Sequence, residues 1–222
     1  MLIGTGSHGD VYRVDHPRYG QTAIKKLRYR DQAELDDILD EVQLLEQLRT
    51  SLCQPFVVKI YEHKIKSDIK EVQILMEYLQ DRDDLFYDDS DVMIIGLKLL
   101  HAVKCLHNLG IVHRDIARVN IVIMDDLSVR LIDFGDSCNR SNCQFDILGR
   151  DPPPEFDDEE IYQHKTVTEL FEAYQLADFW AVGDILRSIR SGSSPQLDSL
   201  ISSLTLEIPY ERQDELKRLN LM

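Results

Sequence analysis

The chain has 222 residues, 43% apolar and 29% charged, a composition that suits one globular domain or two lobes sharing a cleft. Its 25 Lys and Arg face 40 Asp and Glu, a net charge of −15, which argues against nucleic-acid or anionic-membrane binding because both need a basic face. The longest apolar run, Val92 to Leu100, is broken by Lys98 and too short for a bilayer; the start has no signal-peptide pattern, and four cysteines without metal or CxxC spacing point to a reducing compartment, cytoplasm or nucleus.

In chain order, Asp10 to Val14 and Gln21 to Leu27 read as strands around a turn at His16-Pro17. Ile38, Val42, Leu45 and Leu48 recur at helical spacing between Asp36 and Leu48. Phe56 to His63 and Val72 to Leu79 predict two further strands. The acidic stretch 81–91 reads as a solvated connector that starts a helix over 92–109, with Ile95, Leu99, Ala102, Val103 and Leu106 inward and Gly110 as its C-cap. Ile121 to Met124 and Val129 to Asp133 predict a hairpin around Asp125-Asp126. Residues 135–165 read as loop. Residues 166–222 read as helical, around Leu170, Leu176, Trp180, Ile185, Leu200, Leu204 and Leu216.

Three constellations carry chemistry. Gly4, Gly6 and Gly9 with Val11 spell G-x-G-x-x-G-x-V, and such glycines let backbone N–H groups approach phosphates. A strand-like segment follows the loop, so the dinucleotide-binding version, which needs a helix there, does not fit. Ala23-Ile24-Lys25 places a lysine in an apolar strand, where it can neutralise phosphates, and Glu41 on the next helix is its candidate acidic partner. His113-Arg114-Asp115, with Asn120 five residues after the aspartate and Asp133-Phe134-Gly135 thirteen after that, offers a base and two hard oxygen ligands for Mg²⁺.

With these motifs in this order, the chain resembles the eukaryotic-type protein kinases over essentially its whole length. The resemblance implies an α+β, two-lobed fold. Its N-lobe would be 1–79, a small antiparallel sheet with one helix, and its C-lobe 80–222, mainly helical and shortened at its end. ATP would sit between the lobes, against Gly4, Gly6, Gly9, Val11, Ala23 and Lys25, with Met76 as gatekeeper and Glu77 to Leu79 as hinge. Asp115, Lys25, Glu41 and Asn120 would be catalytic, and Asn120 and Asp133 would hold Mg²⁺. Pro153-Pro154-Glu155 resembles the family's A-P-E, with Glu155 paired to Arg212 of Pro209-Tyr210-Glu211-Arg212. Asp178, in D-F-W-A-V-G, would anchor the catalytic loop. Leu45, Ile60, His113 and Phe134 would stack as a hydrophobic spine, with Gly135 completing the metal motif.

Some positions depart from the family pattern. Ala117 stands where Ser/Thr kinases usually carry a lysine, Arg118 fits neither kinase signature, and Leu148-Gly149-Arg150-Asp151 lacks the usual acceptor-class residues. Residues 156–177 look like an insertion. Arg114 suggests pairing with a phosphate on Ser137 or Ser141. Cys138 and Cys143, in the same segment, admit a redox switch. The implied activity is transfer of the ATP γ-phosphate to protein hydroxyls, Ser/Thr rather than Tyr, on a partner that is a protein substrate of basic character. A nucleotide-binding scaffold without turnover, or a small-molecule kinase of the aminoglycoside or choline type, are the alternatives.

Overall fold

The computed structural model describes residues 1–6, 9–82, 86–144, 153–157 and 165–222. Two compact units result: Met1–Gln80 with Ile132–Gly135, and Asp81–Leu131 with Asp136–Met222. The segment with Asp133, Phe134 and Gly135, expected in the second lobe, groups with the first unit, where Asp133 bonds Lys25.

In the first unit, β1 (Leu2–Gly6), β2 (Gly9–His16), β3 (Gly20–Arg28), β4 (Ile60–Lys66) and β5 (Glu71–Glu77) form one antiparallel sheet in the order β1-β2-β3-β5-β4. β1 is short and has no alternating apolar pattern of its own. β4 begins at Ile60, not at Phe56, because Gln54–Phe56 with Pro55 makes a 3₁₀ turn instead. Helix α1 (Gln32–Leu48) starts before Asp36 because Asp31 caps it, its side chain accepting from the Glu34 N–H at 3.1 Å. Its inner face carries Val42, Leu45 and Leu48, and burial of each such side chain stabilises the unit by roughly 1.5–3 kcal/mol.

The second unit is built on α2 (Asp89–Asn108) and α3 (Val167–Ile189), followed by α4 (Pro195–Leu204) and α5 (Pro209–Arg218). Asp88 caps α2 by accepting from the N–H groups of Ser90 and Asp91, and Gly110 ends it at φ +73°. Ile95, Leu99, Ala102, Val103 and Leu106 are all fully buried. The hairpin β7 (Ile121–Ile123) with β8 (Val129–Leu131) forms as expected, though each strand is short. A further pair, β6 (Ile111–Val112) with β9 (Cys138–Asn139), was not legible because each strand has two residues. Residues 167–177, read as helical in character, are the first half of α3, started by a Thr166/Glu169 capping box, with Leu170, Phe171, Tyr174 and Ala177 buried. At Gly183 a Cβ would stand 2.7 Å from Leu204 Cβ, so α3 and α4 approach more closely than a side chain there allows. Among the described residues, no helix is long and apolar enough to cross a membrane.

Candidate functional site

The first unit assembles one ionic cluster. Lys25, on β3, points from the sheet towards α1, and its Nζ donates to Glu41 Oε1 at 2.8 Å and to Asp133 Oδ1 at 2.9 Å. Lys25 and Glu41 are 7% and 6% exposed, so water screens this pairing little. Burial alone would pull the Lys25 pKa down, but the two carboxylates outweigh it and hold the ammonium above its ordinary value. An ammonium has three donors, and Glu41 and Asp133 take two of them. Asp133 sits at φ +61°, a conformation rarely taken by a non-glycine residue, and Phe134 beside it is buried.

Around the lysine, the β2/β3/β5 register sets the other expected contacts. Val11 lies opposite Lys25 and Gly4, and Ala23 lies opposite Met76. Gly6 pairs with Gly9 at the β1–β2 turn, whose tip residues 7 and 8 lie outside the described residues. Gly9 has φ +136°, and a Cβ there would collide with the Lys26 carbonyl, so only glycine suits it. Glu77 Oε1 accepts from the Lys59 N–H at 2.7 Å, which fixes the end of β5 before Leu79. Leu45 and Ile60, two expected spine members, are buried in this unit.

The second unit holds the loop from His113 to Asn120. Asp178, 2% exposed on α3, accepts from the backbone N–H of His113 through Oδ2 and of Arg114 through Oδ1, both at 2.9 Å. These bonds hold Arg114 at φ +67°. Asn120 donates its amide to Asp115 Oδ2 at 2.6 Å and to the Asp115 carbonyl at 3.0 Å. Asp115 Oδ1 is buried with no hydrogen-bond partner among the described residues. Glu155 and Arg212 form a bidentate pair, Nη1 to Oε1 at 2.5 Å and Nη2 to Oε2 at 3.1 Å.

Several contacts escaped the sequence. His107 Nε2 donates to Asp178 Oδ2 at 2.9 Å, a partnership between residues 71 apart with no local signal. Arg118, read only as a departure, donates to Asp81 Oδ2 at 2.9 Å and to the Ile121 carbonyl at 2.8 Å, while Asp81 Oδ1 accepts from the Ile123 N–H at 2.8 Å. Asp81 and Arg118 therefore clamp the loop that carries Asp115 and Asn120. Arg114 Nη1 donates to the Gln144 carbonyl at 3.2 Å; Ser137 and Ser141 turn their hydroxyls to the His113 carbonyl and to Asn139 Oδ1. Leu148-Gly149-Arg150-Asp151 and most of the acidic cluster 157–160 lie outside the described residues. Cys138 and Cys143 form a disulfide, a pairing that spacing alone did not announce.

In the second unit Asn120 spends its amide N–H₂ on Asp115, leaving its Oδ1 as a hard acceptor; in the first, Asp133 carries a carboxylate positioned by Lys25.

Comparison with known proteins matches residues 1–211 to the family model of the protein kinase domain. The probable serine/threonine-protein kinase mkcE of Dictyostelium discoideum is 28% identical over 213 residues, covering 90% of this chain and 28% of that protein. The cytokinesis protein sepH of Emericella nidulans is 27% identical over 203 residues, 87% of this chain and 14% of that protein. The cAMP-dependent protein kinase catalytic subunit of D. discoideum is 25% identical over 205 residues, 89% of this chain and 30% of that protein. The chain thus spans less than a third of the length of these relatives.

Proposed function

Because the chain belongs to the protein kinase family, whose domain it matches over residues 1–211, we propose that it transfers the γ-phosphate of Mg-ATP to serine and threonine hydroxyls of protein substrates. The observation that carries this reading is the buried Lys25 ammonium held between Glu41 and Asp133, residues that meet only on folding and that leave one donor for a phosphate. The names of the relatives, serine/threonine kinases among them, support the acceptor class.

In this reading Gly4, Gly6 and Gly9 bring backbone N–H groups to the phosphates, and Val11, Ala23, Met76, Glu77 and Leu79 receive the adenine and ribose. Lys25 neutralises the α- and β-phosphates. Asn120 and Asp133 would each offer Mg²⁺ a hard oxygen ligand, and the ion when bound would supply positive charge against the phosphates. Asp115 Oδ1 accepts the hydrogen bond of the attacking hydroxyl and takes its proton as the new O–P bond forms and the bond to the leaving ADP oxygen breaks. Asn120 keeps that carboxylate aligned, and Asp178 keeps the loop in place. Catalysis is then mostly positioning and charge neutralisation. The net charge of −15 favours encounter with basic substrates.

The test is transfer of labelled phosphate from Mg-ATP to a mixed basic-protein substrate. Lys25→Met, Asp115→Asn and Asp133→Ala are each expected to abolish it while the protein stays folded. Transfer that persists in Asp133→Ala, or its absence from wild type while ATP still raises the melting temperature, refutes the reading.

A further inference from the structure

We propose that the Cys138–Cys143 disulfide is a reversible latch that fixes Arg114, and through it the loop carrying Asp115, so that oxidation of this pair does by a covalent bond what no described hydroxyl of the segment does. Its effect on turnover rests on the phosphotransfer reading above; the latch itself does not.

The two cysteines hold the ends of a short loop, and each end grips the catalytic segment separately. Cys138 is paired in the β6–β9 ladder with Val112, the residue before His113. Cys143 is followed by Gln144, whose carbonyl accepts from Arg114 Nη1 and from the Tyr174 hydroxyl, both at 3.2 Å. The Arg114 guanidinium also lies over the Tyr174 ring, 4.9 Å from its centroid. The loop therefore clasps residues 112–114 from two sides, with its ends 5.1 Å apart at Cα, a separation that suits a disulfide. Asp178 fixes the Arg114 backbone at φ +67°, and the clasp fixes its side chain.

Without the bridge, the loop would rely on Asn139 and Asn142. The Asn139 N–H donates to Asn142 Oδ1 at 2.8 Å, and the N–H groups of Asn142 and Cys143 donate to the Asn139 carbonyl at 3.1 Å. Asn139 to Asn142 are exposed, and hydrogen bonds there compete with water, so they hold the ends weakly. The sulfurs themselves are buried against Val112, Phe156, Leu170, Phe171 and Tyr174. Reagents reach them by opening of the exposed loop, which makes the exchange slow but keeps it local.

The arrangement of Ser137 and Ser141 agrees with this. Their hydroxyls are turned to the His113 carbonyl and to Asn139 Oδ1, and Arg114 is met by Gln144 instead.

The chemistry is thiol–disulfide exchange with a small-molecule disulfide. One cysteine thiolate attacks a sulfur of that disulfide and expels the first small thiolate. The second cysteine thiolate attacks the mixed disulfide, forms the Cys138–Cys143 bond and expels the second. Two protein thiols are oxidised, one small disulfide is reduced to two thiols, and the two protons pass to the leaving thiolates.

The experiment compares full-length protein equilibrated with oxidised glutathione or with a phosphine reductant. The state of the pair is read by alkylation and mass spectrometry, amide exchange is read over 111–115, and transfer from Mg-ATP is measured in parallel. Reduction is expected to speed exchange over 111–115 and to lower transfer about tenfold, the size expected from loss of a charge-assisted hydrogen bond that orients the loop. The test is made in a Cys53→Ala/Cys105→Ala background, which leaves this pair as the only cysteines of the chain; the response is expected to persist there, and adding Cys138→Ser/Cys143→Ser is expected to hold the protein at the reduced level under both treatments. Exchange over 111–115 that is the same in both redox states of that background overturns the latch, as does a redox response that survives once Cys138→Ser/Cys143→Ser is added. If wild type transfers no phosphate in either state, the phosphotransfer reading fails, and the exchange data alone decide the latch.

Discussion

Removing the carboxylate of Glu155 tests the energetics of the second unit. Arg212 has no exposed surface, and its guanidinium is met by both Glu155 oxygens and by the Leu206 carbonyl, to which Nε donates at 2.9 Å. Glu155→Ala leaves the cation buried with the Leu206 carbonyl as its remaining hydrogen-bond partner among the described residues. Breaking a buried pair from one side costs about 3–5 kcal/mol, and the surviving Leu206 bonds place the loss near the lower figure. Trp180 is the sole tryptophan of the chain and lies on α3 of this unit, so its fluorescence follows the unfolding in question. With a urea dependence of about 2 kcal/mol per molar, the midpoint falls by about 1.5 M. Glu155→Leu/Arg212→Met, which removes both charges, is expected to recover most of that loss. A Glu155→Ala midpoint within about 0.3 M of wild type, or a double variant no more stable than the single one, refutes the argument that the loss comes from an uncompensated buried charge.

The Lys25 ammonium is held above its ordinary value of 10.5, so carbon-13 spectra of its Cε should show it still mainly protonated at that pH, where an exposed lysine is half titrated. The sign follows: the stability this pairing contributes is fully present below 10.5 and is lost as pH rises through the higher folded value. Glu41→Gln should bring the titration down, and an unchanged curve in that variant would contradict the pairing. In the glycine-rich turn, Gly9→Ala forces a left-handed backbone on alanine and a clash with the Lys26 carbonyl, whereas Gly4→Ala meets only Val11 at an ordinary 3.8 Å. Thermal shift with ATP should therefore show the first variant losing the ATP response and the second keeping the unliganded melting temperature; equal behaviour of the two counts against the backbone argument.

The sequence by itself determined the kinds of chemistry. Lys25 in an apolar strand, Asp115 with Asn120 five residues on, and Asp133-Phe134-Gly135 are local patterns, and local patterns survive without a fold. It also set the strongly periodic elements, since Leu99, Val103 and Leu106 recur at 3.6-residue spacing and α2 buries that face whatever its neighbours. It did not reveal β6 and β9, whose two residues each have no period, nor the start of α1, where Asp31 extends the helix beyond its apolar stripe.

Only the tertiary structure decided the partners. His107 with Asp178, Arg118 with Asp81, and Arg114 with the Gln144 carbonyl join residues 71, 37 and 30 positions apart, and nothing in either local sequence selects the other. The pairing of Cys138 with Cys143 is short in sequence yet was equally hidden, because whether two cysteines five residues apart meet depends on the backbone between them. Here the Asn139 and Asn142 turn brings them together under α3.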